Sequence, residues 1–138
     1  MLRLRDWNAF VKGLAICAAY VVAAKFSLRL ASVHPSATPV WPSTGIAIAT
    51  FLALGLRFWP SIFIGAFLVN VTTAGSVLTS VGIATGNTLE ALLASFLVMR
   101  FANGRHAFEK TRDVLRFALY AGVISTGVAA SAVLITPA

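Results

Sequence analysis

Glu90 is the residue of this sequence with the most potential for chemistry, because it is an acid inside a long apolar run. It lies ten residues before Arg100, which on a helix is about 15 Å from the charged end of the run. In a membrane, an ionisable group at that depth costs about 2.5–3.5 kcal/mol, so it should face protein or water. Asn87, one helical turn earlier, shares its face. We predict an intramembrane polar site at these two residues.

Two interpretations of this site are open from the sequence. In the functional one, the buried carboxyl group of Glu90 detects a ligand, a cation or a proton. In the structural one, Glu90 is protonated and hydrogen-bonded to Asn87 or to a neighbouring helix. We favour the structural interpretation, since a lone acid without a second ionisable partner does not make a proton relay.

Lys25 is the candidate partner for Glu90 within the apolar runs. A simple rise count offsets the two residues in depth by about 7 Å, a gap that a lysine side chain can bridge. The alternative is that Lys25 and Arg29, one turn apart, extend to the outer lipid headgroups. We favour this alternative, since the sequence does not determine which helices are neighbours.

The sequence has no pattern of a catalytic or metal centre. Cys17 is the single cysteine and lies in an apolar run, which excludes a disulfide framework and a zinc-binding spacing. His34 and His106 are isolated histidines in predicted loops, and we do not expect them to bind a metal. No nucleophile–base pair, phosphate-binding loop or acid dyad is present. We therefore predict no enzyme activity, no cofactor and no metal in this chain.

Composition places the chain in a membrane. Of its 138 residues, 59% are hydrophobic and 11% are charged, whereas soluble domains carry about 25% charged residues. Too few polar side chains are present to cover a water-facing surface. The net charge of +7 would otherwise favour nucleic acid, but the basic residues stand at the ends of apolar runs. This distribution indicates the lipid bilayer as the partner and argues against a nucleic-acid-binding module.

Five apolar runs approach the roughly 20 residues that a membrane-spanning helix needs. Hydrophobicity within them is continuous rather than alternating, which argues against the strands of a membrane barrel. The predicted fold class is all-α, a polytopic transmembrane helix bundle in one domain. The predicted spans are residues 9–30, 40–56, 58–73, 77–99 and 114–136.

Lysine and arginine residues predict the orientation of this bundle, because they concentrate in cytoplasmic connections. One side holds nine of them and the other only Lys25 and Arg29. The nine are Arg3, Arg5, Lys12, Arg57, Arg100, Arg105, Lys110, Arg112 and Arg116. The N-terminus is therefore expected in the cytoplasm and the end of the fifth span outside.

Small residues and proline at the ends and along the spans predict how the helices start and pack. Trp41 and Pro42 suit an interfacial anchor followed by a helix start. The free N–H groups of that first turn could also hold an anion, but we favour the anchor. Residues at four-residue spacing form small-residue stripes where another helix can approach closely. The stripes are Gly45, Ala49 and Ala53; Gly82, Gly86, Glu90 and Ala94; and Ala118, Gly122, Thr126 and Ala130.

Several of these segments together resemble the signature of the first type of membrane-associated sensor domain, abbreviated MASE. The matching segments are residues 39–47, 57–60, 64–67, 86–91 and 112–115, with Gly55 and Asn70. Each segment alone is weak, but their order and spacing are specific. The motif positions within them are Trp41, Pro42, Gly45, Arg57, Trp59, Pro60, Gly65, Asn70, Gly86, Asn87 and Glu90. The resemblance implies mainly structural roles for most of them.

The resemblance implies a bundle of about eight helices at the N-terminus of a bacterial signalling protein. Such domains precede a histidine kinase, a diguanylate cyclase or a PAS module, and their ligands are generally unknown. Five spans ending outside cannot be followed directly by a cytoplasmic effector. We therefore expect the chain to be truncated at its C-terminus, without an odd number of spans and the effector.

The sequence supports three hypotheses of function. The first is a sensory input module of the bacterial inner membrane, which passes an unidentified small-ligand signal to a cytoplasmic effector in the same chain or in a partner protein. The second is a membrane anchor that dimerises through its small-residue stripes. The third is a small transporter with Glu90 as its proton or cation site. We rank them in that order, because transporter sites usually show paired ionisable groups at mid-membrane.

Overall fold

The computed structural model describes residues 2–29, 42–74, 76–102 and 109–124, and this part of the chain is helical with no strand. The all-α prediction is confirmed there. In chain order the elements are α1 (Leu2–Arg29), α2 (Pro42–Leu54), a 3-10 turn (Leu56–Phe58), α3 (Trp59–Ala74), α4 (Val77–Phe101), α5 (Thr111–Phe117) and a π-helical segment (Ala118–Ile124).

Three helical stretches in the described residues are long and apolar enough to cross a membrane. They are Trp7–Arg29, Leu56–Thr73 and Val77–Phe101. The second predicted span corresponds to α2, whose 13 residues measure only about 20 Å. The fifth is described only as far as Ile124, so most of 114–136 lies outside the described residues. The predicted count of five spans is therefore not confirmed.

Gly55 forms the turn between α2 and α3. Its φ of 98° lies in the region that favours glycine, because a side chain would clash with the backbone there. The Gly55 N–H donates to Phe51 O over 3.0 Å, and α3 then begins at Trp59-Pro60. Proline costs little in a first helical turn, where its missing N–H has no helical partner. α2 and α3 are thus joined by a tight turn at Gly55 and residues 56–58.

The turn between α3 and α4 is equally short. Ser76 is the N-cap of α4, and its side chain accepts a hydrogen bond from the Thr79 N–H over 3.4 Å. Ser80 Oγ donates to Ser76 O over 2.6 Å. These bonds provide partners for groups at a helix start, where backbone N–H groups have none within the helix. They place the beginning of α4 directly beside the end of α3.

α1 and α3 lie side by side and run in the same direction. Their contacts follow the same order along both helices: Gly13 with Ser61, Tyr20 with Gly65, and Lys25 with Thr73. α4 runs antiparallel to α3 through the short turn, and α2 packs against both α1 and α4. α1 and α3 therefore run in one direction and α4 runs in the opposite direction.

Close helix approach occurs at glycines outside the predicted stripes. A Cβ added at Gly13 would lie 2.8 Å from Ser61 Oγ, and one at Gly65 would lie 3.1 Å from the Tyr20 ring. At Gly45 and Gly86, in contrast, an added Cβ would have no atom within 4 Å. The close approach predicted at these two positions is therefore not present among the described residues, although Glu90 and Ala94, which continue the α4 stripe, are buried.

The core between the helices combines alanines with a few large side chains. Tyr20, Phe51, Ile62, Val69 and Val98 are fully buried. The alanines around them are equally buried and belong to α1, α2, α3 and α4: Ala24, Ala47, Ala66, Ala84, Ala91 and Ala94. Small residues at contacts allow membrane helices to approach closely. α4 supplies three of these alanines, which suits its position against both α2 and α3.

Candidate intramembrane polar site

The two central residues of the predicted polar site lie together in the middle of α4. Glu90 is 8% exposed and Asn87 is half-buried. Glu90 lies thirteen residues after the first residue of α4 and eleven before its last. On a helix these distances are about 20 Å and 16 Å. Glu90 is therefore a buried acid far from either end of a helix long enough to span a bilayer.

Lys25 lies at a different level from this site. Its Nζ donates to Thr73 Oγ1 over 2.7 Å, and Thr73 stands next to the end of α3. Since α4 begins just beyond that end, Glu90 is about 20 Å further along the bundle. This separation exceeds the reach of a lysine side chain. Asn87 and Glu90 lie one turn apart in the middle of α4, whereas Lys25 lies at the end where α3 and α4 are joined.

Most hydroxyl groups on the buried face of α4 are bonded to the helix itself. Thr88 Oγ1 donates to Ala84 O over 2.7 Å, four residues back. Ser80 makes the equivalent bond to Ser76 O. Such bonds satisfy a hydroxyl group inside apolar surroundings, where an unpaired one costs about 1–3 kcal/mol. The hydrogen bonds of these hydroxyl groups are therefore satisfied within α4, without a ligand.

Two buried hydroxyl groups, Ser43 Oγ and Ser95 Oγ, have no hydrogen-bond partner among the described residues. Ser43 is the second residue of α2, and Ser95 lies five residues after Glu90 on α4. Both residues are fully buried. The sequence analysis missed them, although Ser95 continues the spacing of Ser80, Ala84, Thr88 and Ala91 on the buried face of α4. This periodicity could have predicted from the sequence that Ser95 is buried.

The other motif positions are structural in their observed contacts. Arg57 lies over the ring of buried Phe58 at 5.1 Å, while Trp59 and Pro60 are exposed at the start of α3. Asn70 Nδ2 donates to Ala66 O of its own helix over 2.8 Å. This bond links Asn70 to the preceding turn of α3 rather than to another helix. Pro42 is exposed, and Trp41 lies outside the described residues.

An apolar groove of about 360 Å³ lies beside the turn between α2 and α3. Its walls come from α1 and from the start of α3, with Phe10, Gly13, Cys17, Arg57, Pro60 and Ile64 among its lining residues. The polar pair on α4 is not part of this groove. Within the described ranges no three His, Cys, Asp or Glu residues are placed to hold a metal ion, and His34 and His106 lie outside those ranges.

Comparison with family models gives one match. The model of MASE1 matches residues 13–138, which is most of the chain and includes all of the motif segments. The chain belongs to the MASE1 family. MASE1 domains are membrane sensory input domains rather than catalytic ones. Searches of curated proteins and of solved structures found no match.

Membership in MASE1 confirms the resemblance read from the motif segments and extends it to α1, from Gly13 onward. Gly13 is the residue at which α1 approaches Ser61 of α3 most closely. Together with the three long apolar helices, the match makes the chain a multi-pass membrane sensory domain. In this MASE1 domain, Glu90 is a buried acid in the middle of the longest of the helices after α1.

Proposed function

We propose that this MASE1 domain is the input module of a bacterial signalling protein and that Glu90 takes part in detecting the stimulus. The stimulus changes the packing of the helices, and a cytoplasmic histidine kinase or diguanylate cyclase responds, in the same chain or in a partner protein. The observation that carries the proposal is the burial of an acid in the middle of α4. This helix packs against α2, α3, α5 and the π-helical segment.

The energy available at Glu90 is sufficient for such a switch. A charge near mid-membrane costs about 2.5–3.5 kcal/mol, and each 1.4 kcal/mol changes an equilibrium about tenfold. A ligand, cation or proton that removes the charge in one packing but not in another would shift the two populations by about a hundredfold. That is enough to convert a minor packing into the major one.

The inner end of α4 offers a route for this shift. The Phe101 ring packs on Tyr120 of the π-helical segment with centroids 5.4 Å apart. Arg116 Nη1 donates to Phe101 O over 3.3 Å. π-helical turns are rare and occur frequently at functional sites. We infer that movement of α4 reaches the following segments through Phe101, on the side that the basic residues assign to the cytoplasm of an inner-membrane protein.

Replacement of Glu90 by glutamine tests the proposal. Glu90→Gln keeps the shape but removes the titratable group, and we expect the basal output of the attached effector to change at least several-fold. The measurement is kinase autophosphorylation or cyclic dinucleotide formation by the full-length protein in proteoliposomes, across pH 6 to 8. Thr85→Val is the control, since this hydroxyl is on the exposed face of the same helix. An output equal to wild type at every pH would refute the role of Glu90.

A dimerising membrane anchor is the second candidate, and the open face of α4 favours it. Gly82 is exposed, and an added Cβ at Gly86 meets no atom of the described residues. If the domain is an anchor, Gly82→Leu should lower the dimer fraction measured by light scattering in detergent, and Glu90→Gln should leave output unchanged. In the transporter hypothesis, Lys25 was the partner considered for Glu90, and it lies about 20 Å from Glu90 along the bundle.

A further inference from the structure

A second pocket lies at the C-terminal end of α4, outside the polar site. It has a volume of about 360 Å³ and is formed by the last turn of α4 and the start of α5. We call it the cationic pocket, because its lining includes four basic residues and one acidic residue. The lining residues are Met99, Arg100, Phe101, Lys110, Arg112, Asp113 and Arg116.

The charge of the cationic pocket is only partly compensated by its own residues. Asp113 is buried, and its Oδ1 lies 3.9 Å from Nη1 of Arg116. The same Arg116 nitrogen also donates to Phe101 O. Arg100 lies over the ring of Phe101 at 5.4 Å. Among the residues that line the cavity, four are basic and one is acidic, an arrangement that an anion would stabilise.

The residue types select the chemistry of that anion. Guanidinium groups bind phosphate oxygens through two parallel hydrogen bonds, and a lysine adds a mobile point charge. The volume lies within the range of small-molecule sites, which runs from about 300 to 1,000 Å³. At the predicted cytoplasmic edge, basic pockets between membrane helices bind the headgroups of anionic lipids. We propose that the cationic pocket binds a phosphate group, carried by an anionic lipid or by a free phosphate compound.

The location gives this binding a consequence for signalling, which rests on the proposed function. Arg116 ties α5 to the last turn of α4, and Phe101 contacts Tyr120 of the π-helical segment. A phosphate held between Arg100 on α4 and Arg112 on α5 would strengthen the same junction. Occupancy of the cationic pocket would therefore set how firmly movement of α4 is passed to the segments that follow.

Lipid binding to the purified full chain in a neutral detergent tests the site directly. Native mass spectrometry would compare phosphatidylglycerol with phosphatidylcholine, and we expect saturable binding of the anionic lipid at least tenfold tighter. Arg100→Gln combined with Arg112→Gln should weaken it about tenfold. The matched control is Lys12→Gln combined with Arg57→Gln, which removes two exposed charges from the same predicted side of the membrane. This control should bind phosphatidylglycerol like wild type.

Three further results separate the possible outcomes. Inorganic phosphate that displaces the lipid at millimolar concentration would identify a free phosphate compound as the source and still support the site. Equal weakening by both double variants would overturn the proposal, because attraction would then follow net charge alone. The combination of Arg100→Lys and Arg112→Lys controls for loss of folding, because it keeps both charges. Lipid binding by this variant equal to that of wild type would overturn bidentate recognition by the guanidinium groups. Effector output is not measured, so failure here is distinct from failure at Glu90.

Discussion

Glu90 and Lys25 show how far the surroundings of single residues can be predicted from the sequence. An acid inside an apolar run is expected to face the interior of the bundle, because a charged side chain exposed to lipid is costly. The structure agrees, with Glu90 buried in the middle of α4. The position of Lys25 could not be predicted in the same way. It depends on α1 packing along α3, and no residue type or spacing in the sequence states that neighbour.

The two fully buried serines of α4 allow a matched prediction at this scale. Ser95→Ala should leave stability unchanged or raise it, because Ser95 Oγ has no partner among the described residues and its burial is costly. Ser80→Ala should lower stability by about 0.5–1.5 kcal/mol, since it removes the bond to Ser76 O. Unfolding of the purified protein in mixed micelles measures both. An equal loss of stability in the two variants would contradict the assignment of Ser95 Oγ as a group without a partner among the described residues.

Helices were the most predictable elements of the fold. The fourth span, predicted at residues 77–99, is observed as Val77–Phe101, and the third, predicted at 58–73, as Trp59–Ala74. Apolar runs set their lengths, and Ser76, Gly55 and Pro60 mark their ends for local reasons of capping and backbone freedom. Packing faces were less predictable. Glycine at four-residue spacing indicates a possible contact, yet Gly86 faces open space and Gly13 does not.

The pairing of α1 with α3 makes a direct prediction for disulfide formation. Cysteines at positions 13 and 61 should form a disulfide, because a Cβ at position 13 lies 2.8 Å from the Ser61 side-chain atom, and disulfides need Cβ atoms about 3.5–4.5 Å apart. The variant is Gly13→Cys with Ser61→Cys in a Cys17→Ser background. Mild oxidation and non-reducing electrophoresis would detect it. Gly86→Cys with Ser61→Cys is the control and should stay reduced; the opposite result would place the helices differently.

The whole molecule is a membrane domain, and the distribution of its charges predicts an orientation. Nine of eleven basic residues fall on one predicted side, and the opposite directions of α3 and α4 are consistent with that count. Membership in the MASE1 family agrees with a membrane sensory role. The stimulus and the effector could not be predicted at this scale, because neither composition nor topology carries the chemistry of a ligand.

Orientation is testable with single cysteines in a Cys17→Ser background. Ser76→Cys lies in the exposed turn before α4 and should react with a membrane-impermeant maleimide added to intact cells. Thr111→Cys, exposed at the start of α5, should react only after the membrane is permeabilised. The expectation follows from the concentration of basic residues on the cytoplasmic side. The reverse pattern of labelling would place the N-terminus outside.

The short length of α2 has a consequence for the lipids around the domain. At about 20 Å, α2 is some 10 Å shorter than the hydrocarbon layer, while its neighbours α1 and α4 are longer than that layer. Hydrophobic mismatch of this kind costs a fraction of a kcal/mol per Å. If α2 crosses the bilayer, we expect the lipid beside it to thin, at a cost that depends on the thickness of the bilayer. Lipids with shorter or longer chains should shift the balance between helix packings without any ligand.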